Sequence, residues 1–260
     1  MDEFRNDFKR GKQKMKKLST TRKKVRLITE STPFAIRESF NQLRTNIMYS
    51  PHDSEGAPVY AITSAAQGVG KSTVSANVAL SFSQAGQKVL LIDADMRCPT
   101  QYKFFGCEKK QPGFSELLSG IVKESASAIS AYSDNLHIIT SGCIPPNPSA
   151  LLMSNKLSTL VKQWKKEYDI IFIDLPPVAI VSDPIVIASL VDGYILVARA
   201  NVSNAKHVNS AISSLKNVGA KITGLVVNGT SYKGSENKKF ARGKYSYKYG
   251  YTYEYGTKND

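Results

Sequence analysis

The middle of the chain alternates continuous apolar runs with segments whose apolar residues recur every three or four positions. A continuous run is typical of a strand buried in a parallel sheet, and the longer spacing is typical of an amphipathic helix. Six strands are predicted, at residues 59–63, 88–95, 136–140, 168–174, 193–198 and 222–228. Helices are predicted at residues 34–48, 72–84, 149–166 and 205–218, with shorter ones within 113–131 and 184–191. This order predicts an α/β fold, a mostly parallel sheet with helices on both faces.

The first predicted helix has two distinct faces. Thr32 and Pro33 are typical of an N-cap followed by proline at the first helical position. Glu38, Asn41 and Arg44 recur at steps of three, and a solvated polar face is the ordinary explanation for such a trio. An apolar stripe with steps of four, three and four occupies the other face and consists of Ile36, Phe40, Leu43 and Ile47.

A glycine-rich loop joins the first strand to the second helix. Its backbone N–H groups and the start of the helix would converge on one point and stabilise a phosphate there. Lys71 adds a cation for the outer phosphates, and Ser72 adds a hydroxyl suited to Mg²⁺. The usual pattern has glycine six positions before the lysine, where this chain has Ala65. The candidate nucleotide-binding residues are Gly68, Val69, Gly70, Lys71, Ser72 and Thr73.

Carboxylates follow two other predicted strands. Asp93 and Asp95 close the second strand, and Asp174 closes the fourth. The carboxyl ends of parallel strands share one edge of a sheet, where ligands bind. Asp174 suits a Mg²⁺ ligand, and one member of the Asp93/Asp95 pair can accept a proton from an attacking hydroxyl. Arg97 either meets a phosphate or substrate or forms a surface ion pair.

Charge divides the chain into three parts: a basic arm (1–29), a phosphate-loop domain (30–231) and a tail (232–260). The net charge is +14, of which residues 1–26 carry +8 and residues 232–260 carry +4. The arm is either a flexible solvated segment or a contact for anionic lipid headgroups. Nucleic acid is not the expected partner of the arm, because no aromatic residues are interleaved with its basic ones.

The tail is rich in tyrosine. Alternate positions would place these residues on one face of a strand, but the glycines between them and the lack of Val or Ile favour a flexible low-complexity tail. Its phenols are therefore the candidate functional groups. The six alternating tyrosines are Tyr245, Tyr247, Tyr249, Tyr251, Tyr253 and Tyr255.

Compartment signals in the sequence are few. Cys98, Cys107 and Cys143 have no disulfide or metal-ligand spacing, and an odd count suits a reducing compartment. No signal peptide and no run of ~20 apolar residues is visible. We therefore expect a cytoplasmic protein that reaches a membrane through a partner or through charge.

Four motifs together resemble the bacterial tyrosine kinases (BY-kinases) of capsular and exopolysaccharide biosynthesis, in the form of a separate cytoplasmic kinase subunit. They are the phosphate loop, the segment Ile92-Asp93-Ala94-Asp95-Met96-Arg97 with Pro99-Thr100, the segment Ile173-Asp174 with Pro176-Pro177, and the terminal tyrosine cluster. Residues 145–149 also resemble the family. The resemblance covers roughly residues 30–260.

The resemblance implies ATP and Mg²⁺ as cofactors and a role for each site residue. Lys71 would bind the β- and γ-phosphates, and Ser72, Asp95 and Asp174 would hold Mg²⁺. Asp93 would receive the proton of the tyrosine phenol. Which roles fall to Asp93 and which to Asp95 is left open. The tail tyrosines would be the phosphoacceptors, labelled in trans by a neighbouring subunit.

The resemblance also implies partners. Family members form homo-oligomeric rings, to which a helical Glu-x-x-Arg-x-x-Arg motif contributes. Here that motif reads Glu38, Asn41 and Arg44, so its middle arginine is missing. A transmembrane polysaccharide chain-length protein would supply an activating cytoplasmic segment. A cognate tyrosine phosphatase and protein substrates of polysaccharide synthesis complete the expected set.

Two other functions compete with the kinase. A partition or septum-site ATPase switch of the ParA/MinD type shares the same sheet, but it places a second lysine where this chain has Ala66. Such a switch also has no need for six alternating tyrosines. A charged scaffold with a vestigial ATPase is disfavoured because Lys71, Ser72 and the three aspartates are all present.

Overall fold

The computed structural model describes residues 27–52, 55–109, 111–123 and 125–230. The tail at 232–260 lies outside these residues, as does most of the arm at 1–29. The described strands are β1 Val59–Ser64, β2 Val89–Asp93, β3 Ile129–Ser133, β4 Leu136–Ile139, β5 Ile170–Asp174, β6 Gly193–Arg199 and β7 Ile222–Asn228. The described α-helices are α1 Phe34–Met48, α2 Lys71–Gln84, α3 Gln101–Phe105, α4 Phe114–Ser119, α5 Pro148–Leu152, α6 Asn155–Glu167, α7 Asp183–Val186 and α8 Ala205–Lys216.

The described strands form one sheet in the order β3-β4-β2-β5-β1-β6-β7. Every neighbouring pair is parallel except β3 and β4, which are antiparallel. The predicted α/β class and mostly parallel sheet are confirmed. The prediction of helix through residue 131 is wrong, because β3 begins at Ile129 after a 3₁₀ turn at Ser125–Ala128. β3 is an edge strand and is partly exposed, so it lacks the apolar run that revealed the others.

Two of the predicted helices differ in detail from the structure. The helix predicted at 149–166 is two helices, α5 and α6, with a break at Met153 and Ser154. α1 spans the predicted residues 34–48, but its N-cap is Pro33 and not Thr32, because the Pro33 carbonyl accepts the first helical hydrogen bonds and no side chain caps the helix. On the apolar stripe of α1, Ile47 is buried in the core, whereas Ile36 is 47% exposed and is not part of the core.

Apolar side chains form two clusters, consistent with helices on both faces of the sheet. One cluster includes Trp164 of α6 and Leu215 of α8, and the other includes Ile47 of α1 and Phe82 of α2. Adjacent residues of β2 alternate between the clusters because successive strand side chains point to opposite faces. Burial on both sides explains the continuous apolar runs.

The carboxyl ends of β1, β2 and β5 meet near the middle of the sheet. Asp93 of β2 lies in register with Asp174 of β5, which in turn lies in register with Ile62 of β1. The phosphate loop leaves β1 just beyond this point. The fold therefore brings the predicted loop and both carboxylate positions together.

Candidate active site

The phosphate loop has a backbone that requires glycine at two positions. Gly68 has φ 74° and Gly70 has φ 93°, both in the left-handed region. A Cβ at residue 70 would lie 2.1 Å from Nδ2 of Asn228, which donates to the Val69 carbonyl at 2.9 Å. β7 therefore supports the loop through Asn228, and α2 begins directly after it at Lys71.

Ala65 departs from the usual glycine without strain. Asn201 is the non-glycine residue with positive φ in the described part of the chain, so Ala65 has an ordinary backbone conformation. Its side chain is partly buried against the larger apolar cluster. At this position a methyl group adds packing, and the conformational freedom of glycine is not needed.

Lys71 lies buried between carboxylates. Its Nζ donates to Asp174 Oδ1 at 2.7 Å and lies 3.5 Å from Asp95 Oδ2. Burial disfavours the ammonium charge, but Asp174 and Asp95 more than offset that effect and raise the pKa of Lys71. Lys71 also contacts the Ser72 hydroxyl at 3.2 Å. The charged lysine is thus held at the centre of the site.

Asp174 has hydrogen bonds on both carboxylate oxygens and is fully buried. Oδ1 accepts from Lys71 Nζ and from the Ser75 hydroxyl, the latter at 3.2 Å. Oδ2 accepts from the Gln101 side-chain amide at 2.7 Å. This network fixes the carboxylate at the end of β5.

Asp93 and Asp95 differ in their surroundings. Asp93 is fully buried, and its Oδ2 accepts from the backbone N–H groups of Thr100 and Gln101 at 3.0 and 2.9 Å. Burial, with Asp174 nearby, raises the pKa of Asp93 to about 7. Asp95 instead lines the cavity beside the loop, and its Oδ1 accepts from the Cys98 N–H at 3.0 Å. Of the two carboxylates, Asp95 is the one that reaches the cavity.

Arg97 is held in an ion pair with a buried partner. Its guanidinium donates to both oxygens of Asp183 at 2.9 Å, and Asp183 is fully buried at the start of α7. Ser149 of α5 also donates to Asp183, which links residues 145–149 to this pair. The ion-pair alternative for Arg97 is therefore correct, although the guanidinium also lines the cavity.

A cavity of about 360 Å³ opens at this edge of the sheet. The residues that line it include Gly68, Gly70, Lys71, Ser72 and Thr73 of the phosphate loop. Apolar and cationic side chains line it as well, namely Arg97, Lys103, Phe104, Pro177, Ile180 and Val181. The cavity lining therefore combines groups suited to phosphates with apolar side chains suited to a ring.

The residues present fit a nucleotide accompanied by Mg²⁺. Mg²⁺ prefers oxygen ligands and takes one or two carboxylates together with phosphate and water. The Ser72 hydroxyl and the Asp95 carboxylate line the cavity, and Asp174 lies behind Lys71. In the described ranges no group of three or more His, Cys, Asp or Glu could form a complete metal cage. The donor set thus fits a cation completed by phosphate oxygens.

Some predicted site residues lie elsewhere. The tail tyrosines fall outside the described residues. Glu38 and Arg44 lie on α1, where Arg44 donates to the Ser81 carbonyl and hydroxyl of α2, each at 2.9 Å. Asn41 accepts from Arg44 and donates to Glu38, both at 3.2 Å. The predicted oligomer role of Glu38 and Arg44 stays a prediction.

Three residues of the site escaped the sequence analysis. Gln101, Asp183 and Asn228 contact the predicted residues from α3, α7 and β7. Asn228 ends a predicted strand at the same edge as the aspartates, so its position was a usable signal. Gln101 and Asp183 carry no local motif, and only the packing of their helices reveals them.

Comparison with known proteins first defines the class. The ParA family model, described as NUBPL iron-transfer P-loop NTPase, matches residues 57–247. A septum site-determining protein MinD from Pyrococcus horikoshii shares the fold, with a TM-score of 0.56 and 24% identity over 66% of this chain and 70% of that one. The chain is a ParA-type P-loop NTPase.

Closer relatives then define the family. Tyrosine-protein kinase CpsD of Streptococcus pneumoniae serotype 4 is 35% identical over 82% of this chain and 91% of its own length. Tyrosine-protein kinase YwqD of Bacillus subtilis is 37% identical over 86% and 87%. The kinase domain of Escherichia coli ETK superposes with a TM-score of 0.71 at 32% identity, covering 89% of each chain. This chain therefore belongs to the bacterial tyrosine kinases of capsule biosynthesis.

The chimerical protein CapA2B2 is similar as well, with a TM-score of 0.70 and 35% identity over 76% of this chain and 86% of that one. The predicted family and enzyme class are confirmed by these matches. Among the described helices, none has the length and apolarity that crossing a bilayer requires.

Proposed function

We propose that this protein transfers the γ-phosphoryl group of ATP to tyrosines of its own tail, in trans between subunits of a homo-oligomer. Tyr245, Tyr247, Tyr249, Tyr251, Tyr253 and Tyr255 are the acceptors. The labelled tail then regulates capsular or exopolysaccharide synthesis and export. The observation that carries the proposal is the cavity in which Lys71 and Ser72 face Asp95.

The chemistry of the transfer follows from this arrangement. The bond from the γ-phosphorus to the β-phosphate bridging oxygen breaks, a bond to the phenolic oxygen forms, and the phenolic proton moves to a carboxylate. Lys71 neutralises charge on the phosphates once they reach the loop. Ser72, Asp95 and Asp174 would hold Mg²⁺, which would supply further neutralisation of phosphate charge.

Two carboxylates compete for the phenolic proton. Asp95 lines the cavity, which favours it in this conformation. Asp93 has a raised pKa, but backbone N–H groups hold its Oδ2. Asp93→Asn and Asp95→Asn distinguish the two, because only loss of the proton acceptor itself removes the acidic limb of the kcat pH profile, where the rate rises as the base loses its proton.

The partners follow the family. A transmembrane modulator of polysaccharide chain length supplies the activating segment and brings the cytoplasmic kinase to the membrane. A tyrosine phosphatase reverses the labelling, and proteins of polysaccharide synthesis are further substrates. Glu38 and Arg44 take part in the oligomer, in which Asn41 replaces an arginine of the family motif.

The test is a map of autophosphorylation. Full-length protein is incubated with Mg-ATP, with and without an activating cytoplasmic peptide, and phosphotyrosine is located by mass spectrometry. We expect label at residues 245–255, none in Lys71→Met, and normal label in the matched variant Lys206→Met, which changes an exposed lysine. Tail tyrosines replaced by Phe should remove most label and leave ATP binding intact.

Other outcomes have defined meanings. ATP hydrolysis without phosphotyrosine in both conditions would contradict the kinase and favour the ParA/MinD-type switch. Since Lys71→Met leaves buried carboxylates without their partner, its folding is checked by circular dichroism. Lys71→Arg keeps the charge and provides a second variant if Lys71→Met is unfolded.

A further inference from the structure

Gln101 joins three parts of the site that no local motif connects. It is fully buried as the first residue of α3. Its side-chain amide donates to Asp174 Oδ2 at 2.7 Å and to the Ser72 carbonyl at 3.2 Å. Its backbone N–H donates to Asp93 Oδ2 at 2.9 Å. One residue thus connects the ends of β2 and β5 with the first turn of α2.

The orientation of the Gln101 amide follows from its neighbours. Nε2 faces two acceptors, the Asp174 carboxylate and the Ser72 carbonyl. The reversed amide would place Oε1 against both and lose both hydrogen bonds. Oε1 is buried and has no donor among the described residues. Burying an acceptor without a donor is unfavourable, and the two amide hydrogen bonds must offset that cost.

Gln101 also matters when Lys71 turns toward a nucleotide. In the structure Asp174 Oδ1 is held mainly by Lys71 at 2.7 Å. A lysine that moves to the outer phosphates releases that oxygen. Asp174 then retains Ser75 on Oδ1 and Gln101 on Oδ2 as its fixed donors. Ser75 belongs to α2 itself and also contacts the Lys71 carbonyl at 3.1 Å, whereas Gln101 reaches the Ser72 carbonyl from a different helix, α3.

We propose that Gln101 is a positioning residue that orients Asp174 and the Ser72 turn, and thereby sets how strongly Mg²⁺ tightens nucleotide binding. The inference rests on the proposed function only in that Mg²⁺ accompanies the nucleotide. Gln101 acts through Asp174 and Ser72 rather than by touching the reacting atoms. Substitution of a residue that hydrogen-bonds a metal ligand typically changes metal affinity or activity by ~10–100-fold.

The test measures binding of a fluorescent ATP analogue to the full chain in Mg²⁺ and in EDTA. Gln101→Met keeps the length of the side chain and removes both donors. We expect the Mg²⁺-dependent gain in affinity to fall by about tenfold or more, with affinity in EDTA within about twofold of the unsubstituted protein. Gln111→Met is the matched control, because Gln111 bonds Ser130 at 2.8 Å and does not line the cavity.

A second variant covers the case in which Gln101→Met fails to fold. Gln101→Asn keeps the amide but is one methylene too short for both contacts, so it should lose part of the Mg²⁺ effect. An unchanged Mg²⁺ effect in the folded variants would overturn the proposal, and so would equal losses in Mg²⁺ and EDTA. The binding assay does not depend on tyrosine transfer, so a failed kinase assay leaves this test intact.

Discussion

At the scale of single residues, the site depends on close contacts that tolerate little change. Gly70 shows this, because its missing Cβ leaves room for the Asn228 amide. Gly68 also has positive φ, but no atom lies within 4 Å of the place a Cβ would take. A side chain at residue 68 would therefore meet backbone strain alone, whereas a side chain at residue 70 would meet both backbone strain and a steric clash.

Gly70→Ala should weaken ATP binding more than Gly68→Ala. The left-handed backbone costs an alanine ~1–2 kcal/mol at either position, about tenfold in affinity if it acts only on the bound loop. At residue 70 the Asn228 amide must also move. Fluorescence titration with an ATP analogue measures both variants.

Asn228→Ala provides the control for this comparison. Combined with Gly70→Ala it removes the clash, so the double variant should bind better than the sum of the single losses predicts. Strict additivity would show that Asn228 is not the cause of the larger effect.

At the scale of elements, α4 and the loop after β4 are joined through one carboxylate. Glu116 accepts from the backbone N–H of Gly113 and of Cys143, both at 2.9 Å. Burial favours the neutral acid, but these N–H groups more than offset it and lower the pKa of Glu116. A lowered pKa in the folded state means that the carboxylate stabilises the fold above its ordinary pKa.

Glu116→Gln should therefore reduce stability by about 1 kcal/mol at pH 7, since charge-assisted hydrogen bonds become neutral ones. The difference should shrink as the pH falls below about 4.3 and through the folded-state pKa of Glu116, where the acid is neutral as well. Urea unfolding at pH 7 and pH 3.5 measures it. Glu108→Gln, at an exposed position, should show no such change.

The contact between α1 and α2 depends on Arg44. Because its guanidinium donates to the carbonyl and hydroxyl of Ser81, Arg44→Met should lower the free energy of unfolding by ~1–3 kcal/mol. Glu38 is exposed, so Glu38→Gln should leave stability within about 0.5 kcal/mol.

Urea unfolding and light scattering separate the two roles of this face. Loss of oligomer in Glu38→Gln at unchanged stability would support the predicted interface. Equal stability of Arg44→Met and the unsubstituted protein would contradict the proposed role of Arg44 in docking α1.

At the scale of the whole molecule, charge separates the basic arm from a nearly neutral body. Residues 1–26 carry 11 Lys and Arg against 3 Asp and Glu. Near an anionic membrane each basic residue is worth ~1 kcal/mol. Deleting residues 2–26 should therefore reduce sedimentation with phosphatidylserine vesicles, more at low salt than at high salt.

The matched controls for this deletion are neutral vesicles and the ATP-binding assay. Neither should respond, because Lys71 and the rest of the loop lie in the body. Unchanged binding to anionic vesicles would rule out the arm as a lipid contact.

The sequence alone determined the phosphate loop, the aspartates at the strand ends and the α/β class. These features are local or periodic: a loop motif, a terminal carboxylate, and apolar runs that burial on both faces imposes. Edge strand β3 was missed because it is half exposed and has no such run. The break at Met153 within the helix predicted at 149–166 carries no glycine or proline signal.

Only the tertiary structure decided which groups support the predicted ones. Gln101 reaches Asp174 across 73 positions, and Asn228 reaches Val69 across 159. The tertiary structure also distinguished the two aspartates: Asp95 lines the cavity, whereas Asp93 accepts hydrogen bonds from backbone N–H groups. Such contacts depend on how helices and strands pack around the sheet edge. The spacing of two residues along the chain does not tell how far apart their side chains lie in the folded protein.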